Sequence, residues 1–197
     1  MTHFGIICPP YPGHLNPQAV LGRALQARGH QVTVLQISDL EFKVRAEGLG
    51  FAPIGQTLYQ PGSLADMFVK LAQFSEVKAL QYSVEFCRHI AEIICQDAPA
   101  AIEKAGIEAL IVDQLEIVGE TIAESLKLPF VCVSCGQAIH RRADVPPFFT
   151  PWNYHNTAWA KSRNQIAYAV LDWSCKPILK VINQYRQQWK LSPYPHI

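Results

Sequence analysis

Two residues far apart in the chain, His14 and Asp113, have the types and settings that acid–base chemistry needs. His14 falls in the stretch FGIICPPYPGHLN, Phe4 to Asn16, where a short apolar run stops at Cys8 and gives way to Pro9, Pro10, Pro12 and Gly13. Such a run bounded by turn residues reads as a buried strand followed by a stiff loop. An imidazole in such a loop is suited to taking a proton from a docked hydroxyl near neutral pH. A loop histidine that only packs or caps is the plainer alternative. Asp113 closes a second apolar run, Ala109 to Val112. A carboxylate there can hold the other ring N–H of His14, fix its tautomer and stabilise the imidazolium. Asp113 and Glu116 ahead of an apolar run also have capping-box spacing, which requires no chemistry at all. From the residues alone both readings stand.

The surrounding elements decide whether the two groups can meet. Asn16 is a favoured N-cap and Pro17 a favoured first helical residue, so the spacing of Ala19, Val20, Ala24 and Leu25 predicts a helix from there to Gly29. His14 then sits just before a helix N-terminus, at the carboxyl end of the first strand. His30 to Ile37 reads as a second strand, Ser38 or Asp39 as the cap of a short helix through Phe42, Val44 and Ala46, and Phe51 to Ile54 as a third strand. This alternation predicts an α/β fold: a doubly wound, mostly parallel, Rossmann-like sheet flanked by helices. In such sheets ligands gather at the carboxyl edge.

Farther along, Leu64, Phe68, Leu71 and Phe74 give one helix an apolar face, and Val77, Leu80, Val84, Cys87, Ala91, Ile94 and Ala98 predict a longer helix whose stripe faces the core. Ala109 to Val112 is the fourth strand, Leu115 to Leu126 a helix, and Phe130 to Val133 a fifth strand, apolar enough to be expected under cover on both faces. Ser134 to Thr157 has no clean period and is rich in proline and aromatic residues, the mark of a functional loop. Ala158 to Lys190 returns to helical spacing with an expected kink at Pro177. Residues 1–190 are expected to form one domain, with 191–197 the start of a linker.

Composition limits the partners. The 197 residues are 49% hydrophobic and 17% charged, enough for one well-buried domain, and the formal net charge of +1 gives no reason to expect nucleic acid. The longest basic cluster is His140-Arg141-Arg142. No apolar run approaches the roughly 18 residues that a membrane span needs, so a cytoplasmic location without a transmembrane segment is expected. Six cysteines lie within apolar patterns and are expected to be buried thiols. Cys132-x-x-Cys135 lacks a second pair or a histidine at ligand spacing, so no metal site is expected. The first turn has only Gly13 where a dinucleotide fold needs GxGxxG, and no Walker pattern or GxSxG is present. Asp39 is more simply a helix cap than a ribose ligand.

Four segments in order resemble the N-terminal half of UDP-dependent glycosyltransferases, nearest in flavour to the bacterial branch with macrolide and zeaxanthin glycosyltransferases. They are PGHLNP (Pro12 to Pro17), ARGHQVTV (Ala27 to Val34), ALIVDQ (Ala109 to Gln114) and GETIAESLKLPFVCVS (Gly119 to Ser134). The resemblance implies the acceptor-binding domain of a GT-B architecture, with a C-terminal donor-binding domain as partner. It implies that His14 deprotonates an acceptor hydroxyl while Asp113 pairs with it, and that the sugar's anomeric centre is inverted. No metal or cofactor is implied; a UDP-sugar is the co-substrate, gripped mainly by the other domain. Gly13 and Asn16 would lie near its diphosphate, since a helix N-terminus favours anions. Tyr11, Phe74, Gln137, Phe148, Phe149 and Trp152 are the candidate acceptor contacts, favouring an apolar alcohol such as a carotenoid, terpenoid or polyketide. The chain alone is expected to be inactive. A non-catalytic binding or regulatory module of the same fold, or one half of a split enzyme, are the alternatives.

Overall fold

The computed structural model describes residues 1–57, 59–137, 139 and 141–197. Five strands, β1 (His3–Ile7), β2 (Gln31–Gln36), β3 (Gly50–Pro53), β4 (Ala109–Asp113) and β5 (Phe130–Val133), form one sheet in the order β3-β2-β1-β4-β5. Every neighbouring pair is parallel, and Ile7 lies opposite Leu35 on one side and Val112 on the other. The helices are α1 (Pro12–Gln26), α2 (Glu41–Ala46), α3 (Ser63–Ala72), α4 (Glu76–Ala105), α5 (Gly119–Leu126) and α6 (Ala158–Gln188).

Strand alternation sorts the core into two layers. Ile6, Val32, Val34 and Ile111 face Leu15 and Ala19 of α1 and Val44 of α2. Their neighbours Ile7, Leu35, Leu110 and Val112 face Ala91, Ile94 and Ala98 of α4, Ile122 of α5 and Ile182 of α6. Close approach of the layers depends on small residues at two contacts. A Cβ on Gly22 of α1 would stand 3.1 Å from Leu49, and one on Gly119 would stand 2.4 Å from Val112, so α5 can press on β4 only with glycine there.

Several expectations are corrected. Helix α1 begins at Pro12, not Pro17, with extended Tyr11 at its N-cap and no side-chain cap, so Asn16 caps nothing and His14 lies inside the first turn. Pro12 is as well suited to the first helical position as Pro17, and the helix runs on through Pro17. Asp39 does not cap the helix next to it. Its carboxylate accepts from the N–H groups of Gly62 (2.8 Å) and Leu64 (2.9 Å), capping α3 across space. Helix α5 starts at Gly119, so Asp113 and Glu116 form no capping box. Instead Asp113 Oδ1 accepts from Leu115 N at 2.9 Å in a tight turn.

Strand β5 is exposed along most of its length, with Val131 53% accessible, because it is the edge of the sheet and the described residues cover neither face fully. The α4 stripe enters the core only in its second half: Ala91, Ile94 and Ala98 are buried, while Val77 and Leu80 are exposed. There Val77 and Leu80 line a shallow groove with Trp173 and Pro177 of α6. Helix α6 runs unbroken through Pro177.

The irregular segment lies along α6 and is pinned to it. Arg141 pairs with Asp172 through two bonds, buried Asn164 donates to Ala143 O, and Arg163 stacks on Trp152 at 4.3 Å. Of the short basic run, His140 lies outside the described residues, and Arg142 is paired with Asp144. All six cysteines are free thiols, but only Cys8 and Cys95 are buried as expected; Cys132 is exposed because it lies on the edge strand β5, and Cys87, Cys135 and Cys175 are partly accessible. Among the described residues no helix is long and apolar enough to cross a membrane.

Candidate active site

Strands β1 and β4 are neighbours in space but belong to opposite halves of the winding, and the chain leaves them to opposite sides of the sheet's middle. This is the switch point where doubly wound sheets open a crevice at their carboxyl ends. His14, in the first turn of α1 just after β1, and Asp113, the last residue of β4, both stand there. His14 Nδ1 and Asp113 Oδ2 are 2.9 Å apart across 99 residues of chain. Asp113 is fully buried, while the His14 side chain keeps 17% of its surface accessible. The imidazole is therefore oriented from beneath and open from above, with Nε2 as the nitrogen Asp113 does not hold.

Burial pushes the Asp113 carboxyl upward, but three donors outweigh it: the Leu115 N–H, the His14 ring and the Cys135 thiol together hold it below its ordinary value. It is a carboxylate poised to stabilise positive charge on His14. Glu116 behaves in the opposite way. Complete burial and the nearby Asp113 charge raise it to about 8, against the Val118 N–H that favours its charged form. Its burial favours the protonated form, next to a neighbour held as the carboxylate.

The other candidates are spread around this edge. Tyr11 stands edge-on to the His14 ring with centroids 6.4 Å apart and packs on Phe68 at 5.8 Å. Gly13, in the first turn of α1, and Asn16, in the second, are exposed, and a Cβ on Gly13 would meet nothing within 4 Å. Gln137 is tied to the edge by its carbonyl, which accepts from Gln114 Nε2 at 2.8 Å. Phe74 packs on Tyr82, Phe148 on Phe149, and Trp152 under Arg163, each part-exposed.

A cavity of about 420 Å³ opens on the other side of Asp113, lined by Gln114, Ile117, Ile139, Arg141, Ile182 and Tyr194 among others. Its described lining does not include Phe74, Phe148, Phe149 or Trp152. Sequence reasoning missed Glu116 as a site group, together with Arg141, Gln18 and Cys135. Gln18 follows His14 by four residues and shares its helix face only because α1 starts at Pro12, ahead of the expected Pro17. Cys135 was out of reach as well, because only the path after β5 brings it back over β4. His14, Asp113 and Cys135 are the described residues that could together hold a metal ion.

No family model matches the chain. It is 30% identical over 193 residues to a zeaxanthin glucosyltransferase of Pantoea ananas, covering 98% of this chain and 44% of that protein. A zeaxanthin glucosyltransferase of Pseudescherichia vulneris is 28% identical over 193 residues, covering 97% and 45%. The chain thus spans about half the length of the curated relatives it matches. Among solved structures, a glycosyltransferase of Streptomyces sp. SF2575, SsfS6, superposes with a TM-score of 0.62 at 17% identity over 99% of this chain and 48% of that one. The same enzyme complexed with thymidine diphosphate gives the same score. Sequence and fold together relate this chain to the GT-B glycosyltransferases, as a piece corresponding to one half of their two-domain architecture.

Proposed function

We propose that this chain is the acceptor-binding domain of an inverting glycosyltransferase that moves a sugar from a nucleoside diphosphate, UDP in the first instance, to the hydroxyl of an apolar small molecule. The observation that carries the reading is the 2.9 Å contact between His14 Nδ1 and Asp113 Oδ2 at the sheet's switch point. With Nδ1–H donated to the carboxylate, Nε2 carries the lone pair and can accept the acceptor's proton. The acceptor oxygen then forms its bond to the anomeric carbon as the bond from that carbon to the diphosphate oxygen breaks. The proton ends on His14, its charge offset by Asp113, and the nucleoside diphosphate leaves with the bonding pair. The exposed start of α1, at Gly13, offers the positive end of a helix to that leaving group, with Asn16 about one turn farther on. Proton transfer and inversion in this scheme use no metal.

The sugar reading rests on the likeness to zeaxanthin glucosyltransferases, which favours glucose, and the acceptor reading on that likeness together with the apolar walls of the cavity beside Asp113. Asp113 lines that cavity and His14 does not, so it suits an apolar part of the alcohol while the hydroxyl lies on the His14 side. The donor is held mainly by a further domain facing this one.

In a polypeptide carrying this domain joined to a donor-binding half, His14→Ala lowers kcat on the order of a hundredfold or more, with a smaller change in KM. Near-normal turnover would end the base assignment. On the 197-residue chain, titration calorimetry with apolar alcohols gives heat that UDP-glucose does not; tight nucleotide binding with silence toward alcohols would overturn the domain assignment.

A further inference from the structure

Cys135, just past β5, takes no part in the proposed transfer, yet its side chain returns over the end of β4. A nitrogen of His14, an oxygen of Asp113 and the sulfur of Cys135 all lie within 4.8 Å of one another. Beside them is Gln18, 1% exposed, whose Nε2 stands 3.6 Å from Cys135 Sγ and whose Oε1 is buried with no hydrogen-bond partner among the described residues. A half-turn of that amide exchanges its two ends in place, so its oxygen can face the cluster as readily as its nitrogen.

We propose that His14 Nδ1, Asp113 Oδ2 and Cys135 Sγ form a three-ligand site for a borderline-soft divalent cation of the zinc class, with the Gln18 amide beside the fourth position. Imidazole, carboxylate and thiolate are the donors such ions take, whereas magnesium and calcium prefer oxygen alone. Ligand bonds of about 2.0–2.3 Å in a tetrahedron separate the donor atoms by roughly 3.3–3.8 Å. Nδ1 and Oδ2, now at hydrogen-bond distance, need only part by a few tenths of an ångström as the ion replaces the proton between them. Buried Asp113 already holds a negative charge with an accessible imidazole above it, so the ion has both a counter-charge and a way in.

Without a cation the thiol is a poor nucleophile, since burial first, then its hydrogen bond to Asp113 and the charge there, push it up to about 11. A divalent ion reverses that, because it stabilises the thiolate directly. Binding is balanced by one proton: the thiol gives up its hydrogen, while the imidazole hydrogen moves from Nδ1 to Nε2. The consequence for turnover rests on the reading of His14 as the base. With Nδ1 on the ion and hydrogen on Nε2, the ring has no lone pair for an acceptor proton, and transfer stops.

The test is a titration of the 197-residue chain with Cd2+, following the ultraviolet thiolate-to-cadmium charge-transfer band. The band saturates at one ion per chain, one proton is released per ion, and Zn2+ displaces the signal. It is lost in Cys135→Ser and Cys135→Ala, kept in Cys132→Ser, and needs at least about tenfold more Cd2+ in His14→Ala. A band that survives both Cys135 variants, or that vanishes with Cys132→Ser, overturns the site. Circular dichroism identifies any variant that fails to fold, and the proton count on the unaltered chain then still tests the site. None of these readouts needs turnover, so their failure leaves the sugar-transfer reading standing. A His14→Ala enzyme with near-normal turnover would remove that reading and leave the metal site.

Discussion

Glu116 is enclosed beside Asp113 because the turn after β4 folds inward, and this fixes how the domain answers to pH. Its carboxyl is raised from 4.5 to about 8, so the folded state holds a proton that the unfolded chain releases. The resulting stabilisation is full below about pH 4.5 and is lost as pH rises through about 8. Glu116→Gln keeps the shape without the ionisation. Urea unfolding then shows a flatter profile across that window and a variant more stable than the parent at its alkaline end; parallel profiles would mean that Glu116 is ionised in the folded state. Asp113 acts in the opposite sense and in a lower window. Its carboxyl sits below 3.8, so its contribution is present above that value and disappears only in acid.

Among the elements, α3 shows how a local rule can be obeyed by a distant partner. Asp39 has the residue type of an N-cap and performs that task, but for the helix that starts at Ser63. Helix α3 carries Phe68, which packs on Tyr11 beside His14, so the cap supports one wall of the site. Asp39→Ala costs about 1 kcal/mol, the usual worth of a cap. Hydrogen exchange locates the loss in Ser63–Ala72 while the central strands keep their protection; uniform loosening of the sheet would contradict this role. The start of α1 carries a related lesson. Pro12 and Pro17 both satisfy the preference for proline at a first helical position, and the earlier one begins the helix because Tyr11 is extended and Leu15, Gln18, Ala19 and Gly22 then share the buried face.

For the whole molecule, the closing segment is held against the domain by one buried cation. Arg186, 3% exposed, donates to Ser192 O, Thr121 Oγ1 and Glu124 Oε2, and its guanidinium lies 3.7 Å from the Tyr194 ring centre. Asn183 and Tyr194 exchange two further bonds, so residues 191–197, which have a linker's composition, pack back beside the cavity at Asp113. Removing one member of a buried pair costs about 3–5 kcal/mol, and part of that is recovered here because Glu124 remains partly in water, so Arg186→Met costs roughly 2–3 kcal/mol. Chemical denaturation measures it. At the far edge β5 leaves Phe130 and Val131 exposed on a parallel strand, an arrangement that favours association through edge pairing. Val131→Lys keeps the chain monodisperse to higher concentration in light scattering, with little change in thermal midpoint.

The alternation of strands and helices, the parallel sheet and the positions of His14 and Asp113 at its carboxyl edge were legible in the amino acids, because periodicity and turn chemistry are local and survive without coordinates. Only the tertiary structure decided the rest. Strand order made β1 and β4 neighbours and closed His14 on Asp113, the path after β5 returned Cys135 to them, and its place at the sheet's edge left most of β5 exposed among the described residues. Those outcomes depend on which surfaces meet across long stretches of chain, and no window of sequence contains both sides of such a contact.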